Sequence, residues 1–200
     1  MYLLVSKFFQ VLQDTKSQEQ KEMKKTDGRK NARVSKGDVF IMEHIDAPYL
    51  EKFIEDLINS FGPGHRILNG CCGSSRLGDI RFDIDKNSNR TMNADLKEQL
   101  TLFRKNQFDF YIIDPPDAFY NPYGGFIVDN YCTGRDKRGR KKGDPYRWQY
   151  DALEIAKKAL ILQRPLQMTN WPKQLARDVE YGLIRDSRPM GRILEIVWKK

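Results

Sequence analysis

The run Tyr111-Ile112-Ile113-Asp114-Pro115-Pro116-Asp117 sets a carboxylate and two consecutive prolines against the end of an apolar stretch, and Phe119, Tyr120 and Tyr123 follow in a glycine-containing loop. A carboxylate in that position can accept hydrogen bonds. The paired prolines stiffen the backbone that presents it, and the rings can stack on a flat ligand. Similar punctuation occurs three times upstream. Asn69-Gly70-Cys71-Cys72-Gly73-Ser74-Ser75 follows the apolar run HRILN, and its glycines permit tight turns and close approach of backbone to a ligand. Asp83 and Asp85 close DIRFDID, and Asn93-Ala94-Asp95 ends the short run that begins at Thr91. Taken singly, a glycine-rich turn is ordinarily only a turn and a terminal acid is ordinarily only solvated. Their order along the chain carries the information.

The elements that must position these residues are legible in the periodicity. Leu50, Phe53, Ile54, Leu57, Ile58 and Phe61 recur at helical spacing, Asp46 can cap the start, Pro48 suits the first turn and Gly62 lies just past the end. Short strands follow in HRILN, DIRFDID and TMNA. DLKEQLTLFRKN places Leu96, Leu100 and Phe103 on one helical face, and FDFYIID is a nearly continuous apolar run, as for a strand buried on both faces. Asp144 and Pro145 start a further helix through Tyr150, Leu153 and Ala156, which leads into the strand ALILQ. The tail predicts a helix near PKQLARDVE and a terminal strand pair, YGLIRD and GRILEIVW, separated by SRPM. This alternation with a final hairpin implies an open α/β sheet with helices on both faces, and ligands of such sheets bind outside the carboxyl ends of the strands.

Glycine loop, acid, acid and then D-P-P at successive strand ends resemble the class I S-adenosylmethionine-dependent methyltransferases. D-P-P in particular resembles the amino-methyltransferases that modify exocyclic nitrogens of nucleic-acid bases. The resemblance covers roughly residues 46–200 and implies a Rossmann-like sheet, mostly parallel with a C-terminal antiparallel hairpin. It also implies S-adenosyl-L-methionine as cofactor, held by Asn69, Gly70 and Gly73 near its methionine part, by Asp83 or Asp85 at the ribose and by Asp95 at the adenine. Asp114 and the Pro115 carbonyl, with Pro116 fixing the backbone, are implied as the catalytic acceptors for a target amine. DNA adenine N6 is the first expectation, with RNA close behind.

The sequence departs from that pattern in three respects, one of them that no separate region is large enough to be an evident target-recognition domain, so sequence selectivity is expected to be modest or to come from a partner. Gly73 to Asp83 leaves little room for the helix that ordinarily separates the first two strands. Asp117 stands where the base amino-methyltransferases usually carry an aromatic, so Phe119, Tyr120 or Tyr123 has to provide the stacking face. A NAD-type fold is a worse match, since it wants G-x-G-x-x-G with its acid further on. Cytosine C5 chemistry needs a nucleophilic cysteine after the fourth strand, whereas Cys71 and Cys72 follow the first; Cys132 lies in the loop beyond D-P-P. Two rival functions remain open: a catalytically silent methyltransferase-fold subunit that binds nucleic acid or activates a partner, and a small-molecule methyltransferase.

With 35 Lys and Arg against 27 Asp and Glu in 200 residues, the net charge of +8 favours a polyanionic partner, nucleic acid before an anionic membrane. The loop GRDKRGRKKGD concentrates Arg138, Arg140, Lys141 and Lys142 beyond D-P-P, where they could grip phosphates. Three cysteines and two histidines give neither a disulfide framework nor a metal site. The apolar start around Leu3 to Leu12 lacks a basic leader and is too short to span a bilayer, so the expectation is a cytoplasmic protein. Residues 1–37 read as a charged extension, partly mobile and able to meet a protein partner, and 38–200 as the methyltransferase domain.

Overall fold

The computed structural model describes residues 39–43, 47–115, 147–165, 171–185 and 192–200, all within one compact unit, Gly37–Lys200. The expected extension 1–37, the helix-start residues Asp46, Asp144 and Pro145, Pro116, Asp117, the aromatic run through Tyr123, Cys132 and the basic loop with Arg138, Arg140, Lys141 and Lys142 lie outside the described residues.

Among the described residues, eight strands form one sheet: β1 Val39–Glu43, β2 Ile67–Gly70, β3 Ile80–Asp83, β4 Met92–Asn93, β5 Phe108–Ile113, β6 Ala156–Pro165, β7 Ala176–Arg185 and β8 Arg192–Lys199, in the order β1-β7-β8-β6-β5-β2-β3-β4. Pairings β4-β3-β2-β5-β6 are all parallel, whereas β8 runs antiparallel between β6 and β7. The strand order reverses between β2 and β5, which makes that junction the switch point of a doubly wound sheet. This is the Rossmann-like sheet with a closing antiparallel pair that the resemblance implies.

Helix α1, Ala47–Asn59, buries Leu50, Ile54, Leu57 and Ile58, and the chain leaves it through Gly62 and Gly64, both at positive φ. Phe61, just past its end, packs its ring against Phe110 and Trp198 on one face of the sheet. The opposite face presents Leu68, Phe82, Tyr111, Leu160 and Val197 to Trp148, Ala152 and Leu153 of α3, Arg147–Ile155. Between β4 and β5 lie only a 3-10 turn, Leu96–Glu98, and one helical turn, α2 Gln99–Leu102; Leu96 and Phe103 are buried as their spacing predicts.

Two expectations are corrected. The helix predicted near residues 172–180 is a short turn, closed by Leu175 and Ala176 N–H groups on the Pro172 carbonyl, and then β7. Leu175 and Val179 are spaced like one helical face, but antiparallel pairing with β8 satisfies this backbone instead. Ala156, expected inside α3, opens β6 directly after it.

The β2–β3 connection, residues 71–79, contains no helix, and neither does the β3–β4 connection, residues 84–91. Parallel neighbours normally need a dozen or more residues to cross over. Here polar side chains replace the missing helices. Glu51 of α1 accepts through one oxygen, Oε1, from the Ser75 hydroxyl at 2.9 Å, Arg76 N–H at 2.9 Å and Leu77 N–H at 3.0 Å. Asn69 donates to Ser75 Oγ and to the Leu77 carbonyl. Arg81 donates to the carbonyls of Asn89 and Gly78.

Candidate active site at the carboxyl edge

Register alone lines up the candidate residues. Gly70 is level with Phe82 on one side and Ile113 on the other, and Asp83 is level with Asn93. The next residues, Asp83, Cys71 and Asp114, therefore stand in one row at the ends of β3, β2 and β5, about 4.8 Å apart per strand. The row sits at the switch point.

Cys71 lies at its centre, with φ of 53°, a left-handed conformation uncommon outside glycine. Burial pushes its thiol well above the usual range, and the charges of Asp83, Asp114 and Asp95 push it further. The charges of carboxylates beside three different strand ends thus all act on this one thiol. Asp85 is not among them. Cys72 is buried and raised as well, by burial and then by Asp83. Both shifts favour the protonated, weakly nucleophilic thiol.

Asp83 has a structural duty. Its Oδ2 accepts from Gly73 N–H at 2.9 Å and its Oδ1 from Asp85 N–H at 2.8 Å. Asn89 then ties the same loop from the other side, donating its N–H to the Gly73 carbonyl at 2.7 Å and its side-chain amide to the Ser74 carbonyl. The loop after β2 is clamped between Glu51 beneath and Asp83 and Asn89 alongside.

The two loop glycines have different reasons. A Cβ at Gly70 would fall 2.7 Å from the Phe82 ring and 3.0 Å from the Tyr111 hydroxyl, so core packing demands glycine there. Gly73, at φ of 50°, would meet nothing within 4 Å, so its outer side is open. Asn69 is buried and its amide is spent on the loop. Asp85 is exposed and accepts the Asn87 N–H. Asp95 caps the 3-10 turn by accepting the Lys97 N–H at 2.9 Å. Asp114 extends the β2–β5 ladder through its N–H to the Gly70 carbonyl, and Pro115 is buried behind it.

Three contributors were not singled out from sequence: Glu51, Asn89 and Ile84. Ile84 leaves 59% of its surface exposed beside Asp83, an apolar platform at the open side of the row. An apolar residue between two acids at a strand end is a signal for it, whereas nothing local marks Glu51. Among the described residues, no group of three or more His, Cys, Asp or Glu is arranged to hold a metal, and no helix is long and apolar enough to cross a membrane.

No family model matches the chain, and no curated protein does. Among solved structures it is similar to a magnesium protoporphyrin IX methyltransferase from Synechocystis PCC 6803 with bound SAM, at 15% identity over 75% of this chain and 78% of that one, TM-score 0.44. It is also similar to a SAM-dependent methyltransferase from Agrobacterium tumefaciens at 13% identity, TM-score 0.43, over 76% of this chain and 61% of that one. A third, from Archaeoglobus fulgidus, shares 12% identity over 76% of this chain and 94% of that one, TM-score 0.43. Likenesses this weak decide nothing about this chain.

Proposed function

We propose that this chain is a methyltransferase that uses S-adenosylmethionine to methylate an exocyclic amino group of a nucleic-acid base, with DNA adenine N6 as the first substrate to test and RNA the second. The observation that supports it best is the row that strand register makes of Asp83, Cys71 and Asp114 at the switch point. The residues fit the cofactor. A carboxylate has about four lone-pair sites, so Asp83 can bind its two loop N–H groups and still accept from both hydroxyls of a ribose. Asp83 is favoured over Asp85 for that role because it stands in the row. Ile84 offers an apolar face, Asp95 an acceptor, and Gly73 an open approach. When bound, S-adenosylmethionine supplies an electrophilic methyl group on a sulfonium.

Asp114 and the Pro115 carbonyl then act on the substrate. An exocyclic amine has its lone pair delocalised into the ring, and two acceptors that draw its hydrogens out of the ring plane return that lone pair to nitrogen. Positioning and electrostatics suffice, without a covalent intermediate. The rings at Phe119, Tyr120 and Tyr123 and the cations at Arg138 to Lys142 are assigned to base and phosphate on sequence grounds.

The test is incubation with methyl-labelled S-adenosylmethionine and mixed DNA and RNA, followed by nucleoside mass spectrometry. Label in N6-methyladenine or N4-methylcytosine is expected, and Asp114→Ala should abolish it while leaving cofactor affinity within about twofold. Cofactor binding with no labelled base would favour the silent-subunit reading, which Asp117 motivates. Label confined to small metabolites would favour the small-molecule reading.

A further inference from the structure

The amino edge of the sheet, opposite the acidic row, gathers the positive charge of the described fold. The segments that enter or leave β2, β5, β6, β7 and β8 there, residues 65–66, 104–109, 154–158, 173–178 and 199–200, carry nine Lys or Arg and three Asp or Glu, and the start of β3 adds Asp79, which accepts the Ile67 N–H. Topology places them side by side, since β7, β8, β6, β5 and β2 are consecutive neighbours. At about 4.8 Å per strand the edge is about 20 Å long.

The three carboxylates account for only part of this charge. Glu154 pairs with Lys105 at 2.8 Å, Asp109 with Lys158 at 3.6 Å, and Asp178 with Arg177 at 3.8 Å. Lys199 is turned inward onto Asn106 Oδ1 and the Glu154 carbonyl, and burial lowers its pKa. Arg66 lies over the Phe108 ring. Arg104, Lys157, Lys173 and Lys200 remain, all exposed and none in an ion pair among the described residues.

We infer that this edge is a second nucleic-acid contact, which holds the phosphate backbone of a duplex. Four exposed cations outside any ion pair among the described residues, spread along a rigid strand edge, suit a row of regularly spaced phosphates better than a single small anion. At this edge Phe108 and Trp198 are buried and the half-buried Phe61 is packed against Phe110 and Trp198, so little ring surface is left for bases to stack on and single strands gain little over a duplex. An anionic membrane would call for apolar side chains to insert, and the large exposed apolar residue at this end is Leu102 alone among the described residues. The contact does not depend on methyl transfer, because it lies on the edge away from the proposed site.

The experiment measures binding of a short fluorescent DNA duplex and its RNA counterpart across a salt series. Four proteins are compared: wild type, the edge variant Arg104→Gln/Lys157→Gln/Lys173→Gln/Lys200→Gln, a loop variant with Arg138, Arg140, Lys141 and Lys142 replaced by Gln, and the combination. The edge variant should flatten the slope of log affinity against log salt by about 2 to 4, at about 0.9 per lost duplex contact. It should weaken low-salt binding at least tenfold, with unchanged melting temperature and cofactor affinity, and the loss should add to that of the loop variant. An unchanged slope in the edge variant overturns the inference. So does a variant that keeps its duplex affinity while losing binding to polyglutamate or to anionic vesicles, which would assign the edge to an acidic protein or a lipid surface. A failed methylation assay with an intact edge effect would remove the proposed function and leave this contact standing.

Discussion

The two halves of the sheet are held by different physics. On one side of the switch point, β5, β6, β8 and β7 are strands of six, ten, eight and ten residues, with Leu160, Ile161, Leu162, Leu194, Ile196 and Val197 completely buried. On the other, β2, β3 and β4 are only four, four and two residues long and have no crossover helices between them. That half is fixed by hydrogen bonds to charged side chains, Glu51 and Asp83 above all. Burial of apolar area stabilises the first half broadly, whereas the second depends on a few acceptors whose loss leaves several donors unsatisfied at once. A site that must present polar groups in fixed positions is built on the second kind of scaffold and leaned against the first.

The largest effect should come from the apolar half. Phe108→Ala removes a fully buried ring that meets Phe103 edge-on at 5.5 Å, and should cost about 3–5 kcal/mol of global stability in urea unfolding. A loss below about 1 kcal/mol would mean that this half is not the stabilising one. Glu51→Gln should come next. It removes the charge from an acceptor serving three donors and should cost about 1.5–3 kcal/mol. Its signature is local: amide exchange at Arg76 and Leu77 should accelerate before the core opens. If exchange there is unchanged, the polar-staple account of the site half fails.

Asp83→Ala should weaken S-adenosylmethionine binding roughly tenfold or more by calorimetry, since even one lost charge-assisted hydrogen bond to the ribose is worth about that much and the loop bonds go with it. Asp85→Ala should change it far less. Equal effects would remove the preference for the acid that stands in the row.

The smallest effect concerns acid stability at the seam between the halves. Asp109 of β5 accepts the Arg66 N–H ahead of β2 at 3.0 Å. Burial by itself would raise its pKa, but that hydrogen bond and the Lys158 charge outweigh it and hold the carboxyl below the usual range. A carboxyl lowered in the folded state adds stability that is present above its unfolded pKa, near 3.9, and is lost as pH falls through the folded value. Wild-type stability should therefore fall below about pH 4, and Asp109→Asn should be less stable at neutral pH with a shallower acid limb. Parallel acid limbs would show that Asp109 does not link the halves.

The elements easiest to read from sequence are those whose own residues repeat the pattern of the surface they cover. Leu50, Ile54, Leu57 and Ile58 mark α1 because each turn of that helix meets the same apolar face. FDFYIID marks a doubly covered strand because nearly every side chain there is buried. The order of strand-end acids followed by D-P-P was likewise readable, since each acid sits next to its own strand. The turn and strand at residues 172–180 were misread as a helix because Leu175 and Val179 fit helical spacing, while the pairing with β8 that decides the matter comes from residues further along the chain.

What sequence alone determined, then, is the set of strand ends and the types of group they carry, because strand and helix periods are local properties of the chain. The choice among those groups belonged to the tertiary structure. Parallel register placed Asp83, Cys71 and Asp114 in one row and left Asp85 outside it. A carboxylate on α1 came to anchor a loop 24 to 26 residues away, and five separate segments brought their lysines and arginines to one edge. Those placements depend on which strand lies beside which, and hydrogen bonds and charges act through space between residues that no local period connects.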